Sequence, residues 1–168
     1  TGAVRRIGVI GPGLDFTDKA EGYDFYPVQT IQPFALIESL HRYQVRVTGL
    51  RLTAYDVGPA VIPPVWNAVK RAAIRDGYRV QLPRPSERVQ AWTPEFAAYW
   101  KSFGALIGRD IVPAPLPAGM AGVRVRAVSI SPNLVLTIVP RDLNIILQRE
   151  PLAPAERFDL IVATNVLV

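Results

Sequence analysis

The sequence predicts an α/β domain built on a doubly wound, mostly parallel sheet. Three observations carry that expectation: four short apolar runs recur along the chain, each ends in a polar or glycine-bearing exit, and stretches of helical periodicity lie between them. The first run, Ile7-Gly8-Val9-Ile10, closes on Gly11-Pro12-Gly13-Leu14-Asp15. Glycine reaches φ > 0 without steric cost and carries no Cβ, so a strand ending in Gly-x-Gly lets a ligand approach bare backbone.

The other elements follow in order. Residues 15–30 read as an insertion in which Asp15, Asp18, Glu21 and Asp24 are interspersed with Phe16, Tyr23, Phe25 and Tyr26. A helix-like stretch covers 31–43, with His41, the sole histidine, near its end, where a cation favours the helix dipole. Leu50-Arg51-Leu52-Thr53-Ala54-Tyr55-Asp56 is the second strand. Its terminal carboxylate is suited to accept hydrogen bonds from both hydroxyls of a ribose. Helical periodicity resumes over 63–74 through Val65, Val69 and Ala72 or Ala73, and 78–123 reads as a second insertion. Inside it, Thr93-Pro94-Glu95 supplies an N-cap, a first-turn proline and an early acid for a helix over 96–107, ended by Gly108.

Ser131-Pro132-Asn133 separates two β-rich runs, 123–130 and 134–139, which predict an antiparallel hairpin inserted in the fold, its second strand joining the main sheet. Arg124 and Arg126 alternate with Val123, Val125 and Val128, as on the wet face of a strand. Pro140-Arg141-Asp142-Leu143-Asn144 then forms a polar exit loop. The fourth strand is Phe158-Asp159-Leu160-Ile161-Val162-Ala163, with an acid at its entrance and Thr164 and Asn165 at its exit. Prolines at 83 and 85, at 113, 115 and 117, and at 151 and 154 mark extended connectors. Trp66, Trp92 and Trp100 read as core or helix-packing residues.

Composition narrows the function classes. The chain has 168 residues, 49% of them hydrophobic and 20% charged, which fits a globular domain with a sizeable core. The absence of cysteine excludes disulfides, thiolate catalysis and cysteine zinc sites. No Gly-x-Ser-x-Gly occurs, a single histidine argues against a metal centre, and the spacing of Asp15, Asp18 and Glu21 lacks the glycine-centred calcium loop. The net charge of +5 is spread thinly, so nucleic-acid binding is not indicated. No apolar stretch approaches the roughly 18 residues that span a membrane, and a cytoplasmic protein is the expectation.

The four exits together resemble the class I S-adenosylmethionine-dependent methyltransferases, whose fold is Rossmann-like. The segment from Ile7 to Asp15 is similar to the family's glycine motif, Tyr55-Asp56 to its ribose acid and Arg141-Asp142-Leu143-Asn144 to its adenine loop. Phe158 to Val168 resembles the fourth strand of the chemotaxis-receptor type. The resemblance implies S-adenosylmethionine as cofactor, held by Gly11, Pro12, Gly13, Leu14, Asp15, Asp56, Val57, Asp142, Leu143, Asn144, Thr164 and Asn165. It implies methyl transfer to an acceptor that the sequence does not identify. Tyr23, Asp24 and Tyr26, on the loop after the glycine turn, are the candidate catalytic residues, aligning the acceptor or taking its proton.

Two departures accompany the resemblance. Residues 12–55 separate Gly11 from Asp56, more than the roughly 20 residues of a simple βαβ unit, and there is no third glycine. The family fold also continues beyond its fourth strand. The expectation is therefore a single domain over 1–168 that forms the front part of a longer fold, its sheet edge covered by a C-terminal segment or by a second copy. Two other functions fit the same pattern: a methyltransferase-like binding or assembly module without catalysis, and a nicotinamide-dependent oxidoreductase.

Overall fold

A computed structural model describes residues 3–15, 28–58, 61–74, 77–84, 93–116 and 124–164. In chain order the elements are β1 (Val4–Ile10), α1 (Gln32–Arg42), β2 (Val47–Asp56), α2 (Ile62–Ala73), β3 (Tyr78–Pro83), α3 (Pro94–Ser102), β4 (Gly108–Ile111), β5 (Val125–Ile130), α4 (Pro132–Val135), β6 (Ile138–Asp142) and β7 (Leu160–Ala163). A 3₁₀ turn at Pro154–Glu156 precedes β7.

Four strands form a parallel sheet in the order β6-β2-β1-β7. Among these four the chain order is 3-2-1-4, so successive crossovers leave β1 in opposite directions. This is an α/β arrangement compatible with a Rossmann-like fold. Side chains alternate across a strand, and Ile7, Val9, Leu52, Ala54 and Ile138 therefore share one face. All five are buried, in one cluster with Phe34, Ile37 and Leu40 of α1 and Val65, Ala68 and Ala72 of α2. Each fully buried Ile or Leu in such a cluster contributes about 1.5–3 kcal/mol.

The opposite face is covered by an irregular strap, residues 143–158, that returns the chain from β6 to β7. The Phe158 ring packs against Gly8, where a Cβ would stand 3.3 Å from it. It forms a T-shaped pair with Tyr55, 6.1 Å between centroids. The Tyr55 hydroxyl donates to Glu150, and Arg6 Nη1 donates to the Ala155 carbonyl. Asp159 fixes the end of the strap: its Oδ2 accepts from the backbone N–H groups of Arg5 at 2.8 Å and Arg6 at 2.9 Å. Those two bonds, first Arg6 and then Arg5, hold the Asp159 carboxyl below its ordinary 3.8. Among the described residues β7 pairs only with β1, and its Ile161 is 59% exposed.

A second sheet, antiparallel and ordered β3-β5-β4, packs on the other side of α1. Val80, Leu82, Val128 and Ile130 join the same core, with Phe103 and Ile107. Helix α1 thus serves both sheets, and its Glu38 marks the joint. The side chain is fully buried, Oε2 accepts from the Gly104 N–H at 2.7 Å, and Oε1 takes a 3.0 Å bond from Arg42. The Arg42 guanidinium lies over the Tyr99 ring, 5.4 Å from its centroid. Gln29 closes the outer edge of β3: its carboxamide donates to the Gln81 carbonyl at 2.7 Å and accepts from the Gln81 N–H at 2.9 Å. Among the described residues no helix is long and apolar enough to cross a membrane.

Several sequence expectations need correction. The runs 123–130 and 134–139 do not form a hairpin. The first supplies β5 at the centre of the second sheet, and the chain then turns through α4, where the N–H groups of Leu134 and Val135 bond to the Ser131 carbonyl. β6 begins only at Ile138 and runs parallel to β2. The helix over 96–107 does carry its Thr93 cap, with Thr93 Oγ1 accepting from Phe96 N–H at 3.3 Å, but it ends at Ser102. There the chain extends to bury the Phe103 ring, and Gly104 reverses it at φ +94°. Arg126 is not on a wet face: its guanidinium bonds to Asp110 at 2.7 Å and to the carbonyls of Trp100 and Phe103 at the end of α3. Trp66, expected in the core or in helix packing, is 44% exposed on α2.

Two outcomes test this arrangement. Glu38→Ala leaves the Gly104 N–H without its acceptor and should cost about 2 kcal/mol in urea unfolding, whereas Glu38→Gln, which keeps an acceptor, should cost less. A carboxyl depressed in the folded state contributes stability that is present above its unfolded pKa and lost as pH falls through the folded one. The melting temperature of Asp159→Asn should therefore lie below that of the unmutated chain at neutral pH and converge with it below pH 3.8.

Candidate functional site

The carboxyl ends of the parallel strands leave backbone groups that the sheet itself cannot pair. Three bonds between exits satisfy them here. Gly11 N–H donates to the Tyr55 carbonyl at 2.8 Å, Leu143 N–H to the Asp56 carbonyl at 3.3 Å, and Thr164 N–H to the Ile10 carbonyl at 3.4 Å. The exits of β1, β2, β6 and β7 are thereby drawn around one point. Gly11 and Gly13 take φ of 67° and 64°, the left-handed region that turns the chain away from β1.

Two carboxylates hold that turn. Asp56 Oδ1 accepts from Gly58 N–H at 2.7 Å, closing an Asx-turn, and Oδ2 faces the Gly13 N–H at 3.4 Å. Asp15, at the far end, accepts from the Ile31 N–H at 2.6 Å through Oδ2, while its own N–H donates to the Gln29 carbonyl at 3.1 Å. Asp15 thus caps the entry to α1, a first turn that holds no acidic residue of its own. Beside it, the Tyr78 hydroxyl accepts from the Thr30 N–H at 3.0 Å. Burial pushes the Tyr78 hydroxyl up to about 12; the Asp15 charge adds to the rise and the Thr30 bond opposes it. At neutral pH Tyr78 is therefore an uncharged anchor.

Gly11, Gly13, Asp15 and Asp56 bound a cleft of about 390 Å³. Of the residues singled out from sequence, Gly11, Pro12, Gly13, Leu14, Asp15, Asp56, Val57, Leu143, Asn144 and Thr164 line it together. Asp142 does not: it stands exposed at the end of β6, opposite Asp56 in the ladder. Asn144 reaches the cleft but spends its carboxamide oxygen on its own loop, accepting from the N–H groups of Ile146 at 3.0 Å and Leu147 at 3.2 Å. Tyr23, Asp24, Tyr26 and Asn165 lie outside the described residues.

Sequence reasoning missed five lining residues, Ile10, Gln32, Tyr55, Ile145 and Ile146. Gln32 matters most. Its Nε2 donates to Thr164 Oγ1, which in turn bonds the Gly11 carbonyl at 3.5 Å. Its Oε1 is buried and has no hydrogen-bond partner among the described residues. The available signal was positional, since the first turn of the helix after a glycine turn faces the strand exits. Val57 and Ile146, 58% and 83% exposed, stand apolar beside the acids. The cleft therefore combines bare backbone, two carboxylates, an orphaned carbonyl oxygen and apolar walls, a donor-poor and acceptor-rich set suited to hydroxyl and ammonium groups.

Family models, curated proteins and solved structures were all compared with this chain, and none matches.

The Asx-turn makes Asp56 structural as well as available to a ligand. Asp56→Ala should lower the unfolding free energy by about 1 kcal/mol in urea titration, and Asp56→Asn, whose amide oxygen still accepts from Gly58, by less.

Proposed function

We propose that this chain is the cofactor-binding part of an S-adenosylmethionine-dependent methyltransferase. One observation carries the reading: the crevice at the switch point of a 3-2-1-4 parallel sheet brings the glycine turn, the β2 carboxylate and the β6 and β7 exits together in one cleft.

The residues present fit that cofactor. The free lone pairs of Asp56 accept from the two ribose hydroxyls, Val57 and Ile146 flank the adenine ring, and the Gly11–Gly13 backbone admits the amino-acid portion without a Cβ in the way. Gln32 Oε1 supplies an acceptor for the ammonium group, a partner that this buried oxygen lacks among the described residues. When bound, S-adenosylmethionine supplies an electrophilic methyl group on a sulfonium. The chain's own contribution is to orient that group and keep water away, since in-line displacement depends chiefly on alignment.

Calorimetry with S-adenosylhomocysteine tests the reading, with oxidised nicotinamide dinucleotide as the control. Binding of the homocysteine ligand alone is expected. Asp56→Ala should weaken it roughly 10- to 150-fold, the loss of one charge-assisted hydrogen-bonding group. Binding of the dinucleotide instead, or no binding of either, contradicts the proposal.

A further inference from the structure

The second sheet places two arginines on one face. Arg79 of β3 and Arg109 of β4 are both the direct cross-strand partners of Ser129 on the central strand β5. Directly opposed residues share a face, so both guanidinium groups leave the sheet on the side of the Ser129 hydroxyl, from backbones about 10 Å apart, two interstrand spacings. Arg71, near the end of α2, adds a third cation at the same depression of about 400 Å³. No carboxylate lines it among the described residues. Asp110 does not neutralise the group, because it lies on the opposite face, paired with Arg126 at 2.7 Å.

Among the described residues neither Arg79 nor Arg109 makes an ion pair, and the Ser129 hydroxyl makes no hydrogen bond. Like charges flanking one position are destabilising unless something negative lies between them. Gly77 leaves the hydroxyl uncovered, since a Cβ there would collide with Ser129 Oγ. The depression runs into a second trough of about 480 Å³ through Gly77, Arg109 and Ser129, which line both. That trough is apolar along Leu106, Pro132 and Leu134, and Leu106 is 52% exposed.

We propose that this corner binds the phosphate group of a phosphomonoester, with the ester's apolar body lying along Leu106 and Pro132. Forked guanidinium groups match phosphate oxygens two at a time, and a neighbouring hydroxyl donates to a third. This site is separate from the cleft at the parallel-strand exits, and it does not depend on what that cleft binds.

Calorimetry of the whole chain at low salt, with hexyl phosphate and inorganic phosphate as probes, decides the matter. Hexyl phosphate should bind, and Arg79→Gln or Arg109→Gln should each weaken it roughly 10- to 150-fold with the melting transition retained. Leu106→Ala should weaken hexyl phosphate several-fold and leave inorganic phosphate unchanged. If a glutamine variant fails to fold, lysine at the same position serves: it keeps the charge, loses the fork and should fall between wild type and no binding. No binding of either probe, or equal affinity in wild type and variants, overturns the site. Equal affinity for the two probes overturns the apolar half and leaves free phosphate as the ligand.

Discussion

The geometry of this protein turns on Asp56, a carboxylate at the point where three strand exits meet. Its backbone carbonyl accepts from Leu143 of the β6 exit, its Oδ1 closes the turn at Gly58 and its Oδ2 faces Gly13 of the β1 exit. Parallel strands cannot satisfy their terminal backbone groups within the ladder, so some other group must do so, and one short acid reaches two loops at once. With both loops fixed, the glycine turn stays open beside β1 and a cleft forms instead of a closed cap. The positive φ of Gly11 and Gly13 is tolerated because neither residue carries a Cβ.

Around that centre the chain carries two sheets on one helix. Helix α1 buries Ile37 in the core that both sheets share, while the Phe34 ring packs tilted against Tyr78 of the second sheet, 5.0 Å between centroids. A helix enclosed on both sides must satisfy any polar side chain it presents inward. Glu38 does so through the Gly104 N–H, in the turn that leads from α3 into β4, and through Arg42. The inserted sheet is thus tied to the same core rather than suspended from it. On the other face of the parallel sheet, a strap anchored by Phe158, Glu150 and Asp159 occupies the place that helices take in a fully doubly wound fold.

Much of the parallel sheet and its cleft was legible because each signal was local. A strand ending in Gly-Pro-Gly, an acid closing an apolar run, and Thr93-Pro94-Glu95 before a helix all express preferences of a few adjacent residues. What escaped reading depended on distant partners. Glu38 looks like an ordinary exposed helix acid until Gly104 is brought beside it, 66 positions away. Arg126 has the alternation of a wet face, but the open end of α3 offers it two carbonyls. The apolar runs on either side of Ser131-Pro132-Asn133 have hairpin spacing, and only the sheet order assigns them to different sheets. Gln32 carried no compositional signal, because its importance lies in an oxygen left without a partner among the described residues.

The central claim is that the strand-exit cleft is a cofactor site, and amide chemical-shift mapping of the ¹⁵N-labelled chain with S-adenosylhomocysteine tests it most directly. The account predicts that the shifts concentrate on Gly11, Gly13, Val57, Leu143 and Thr164, with the Gln32 side-chain amide among them. Shifts confined to the second sheet, or none at saturating ligand, would contradict it.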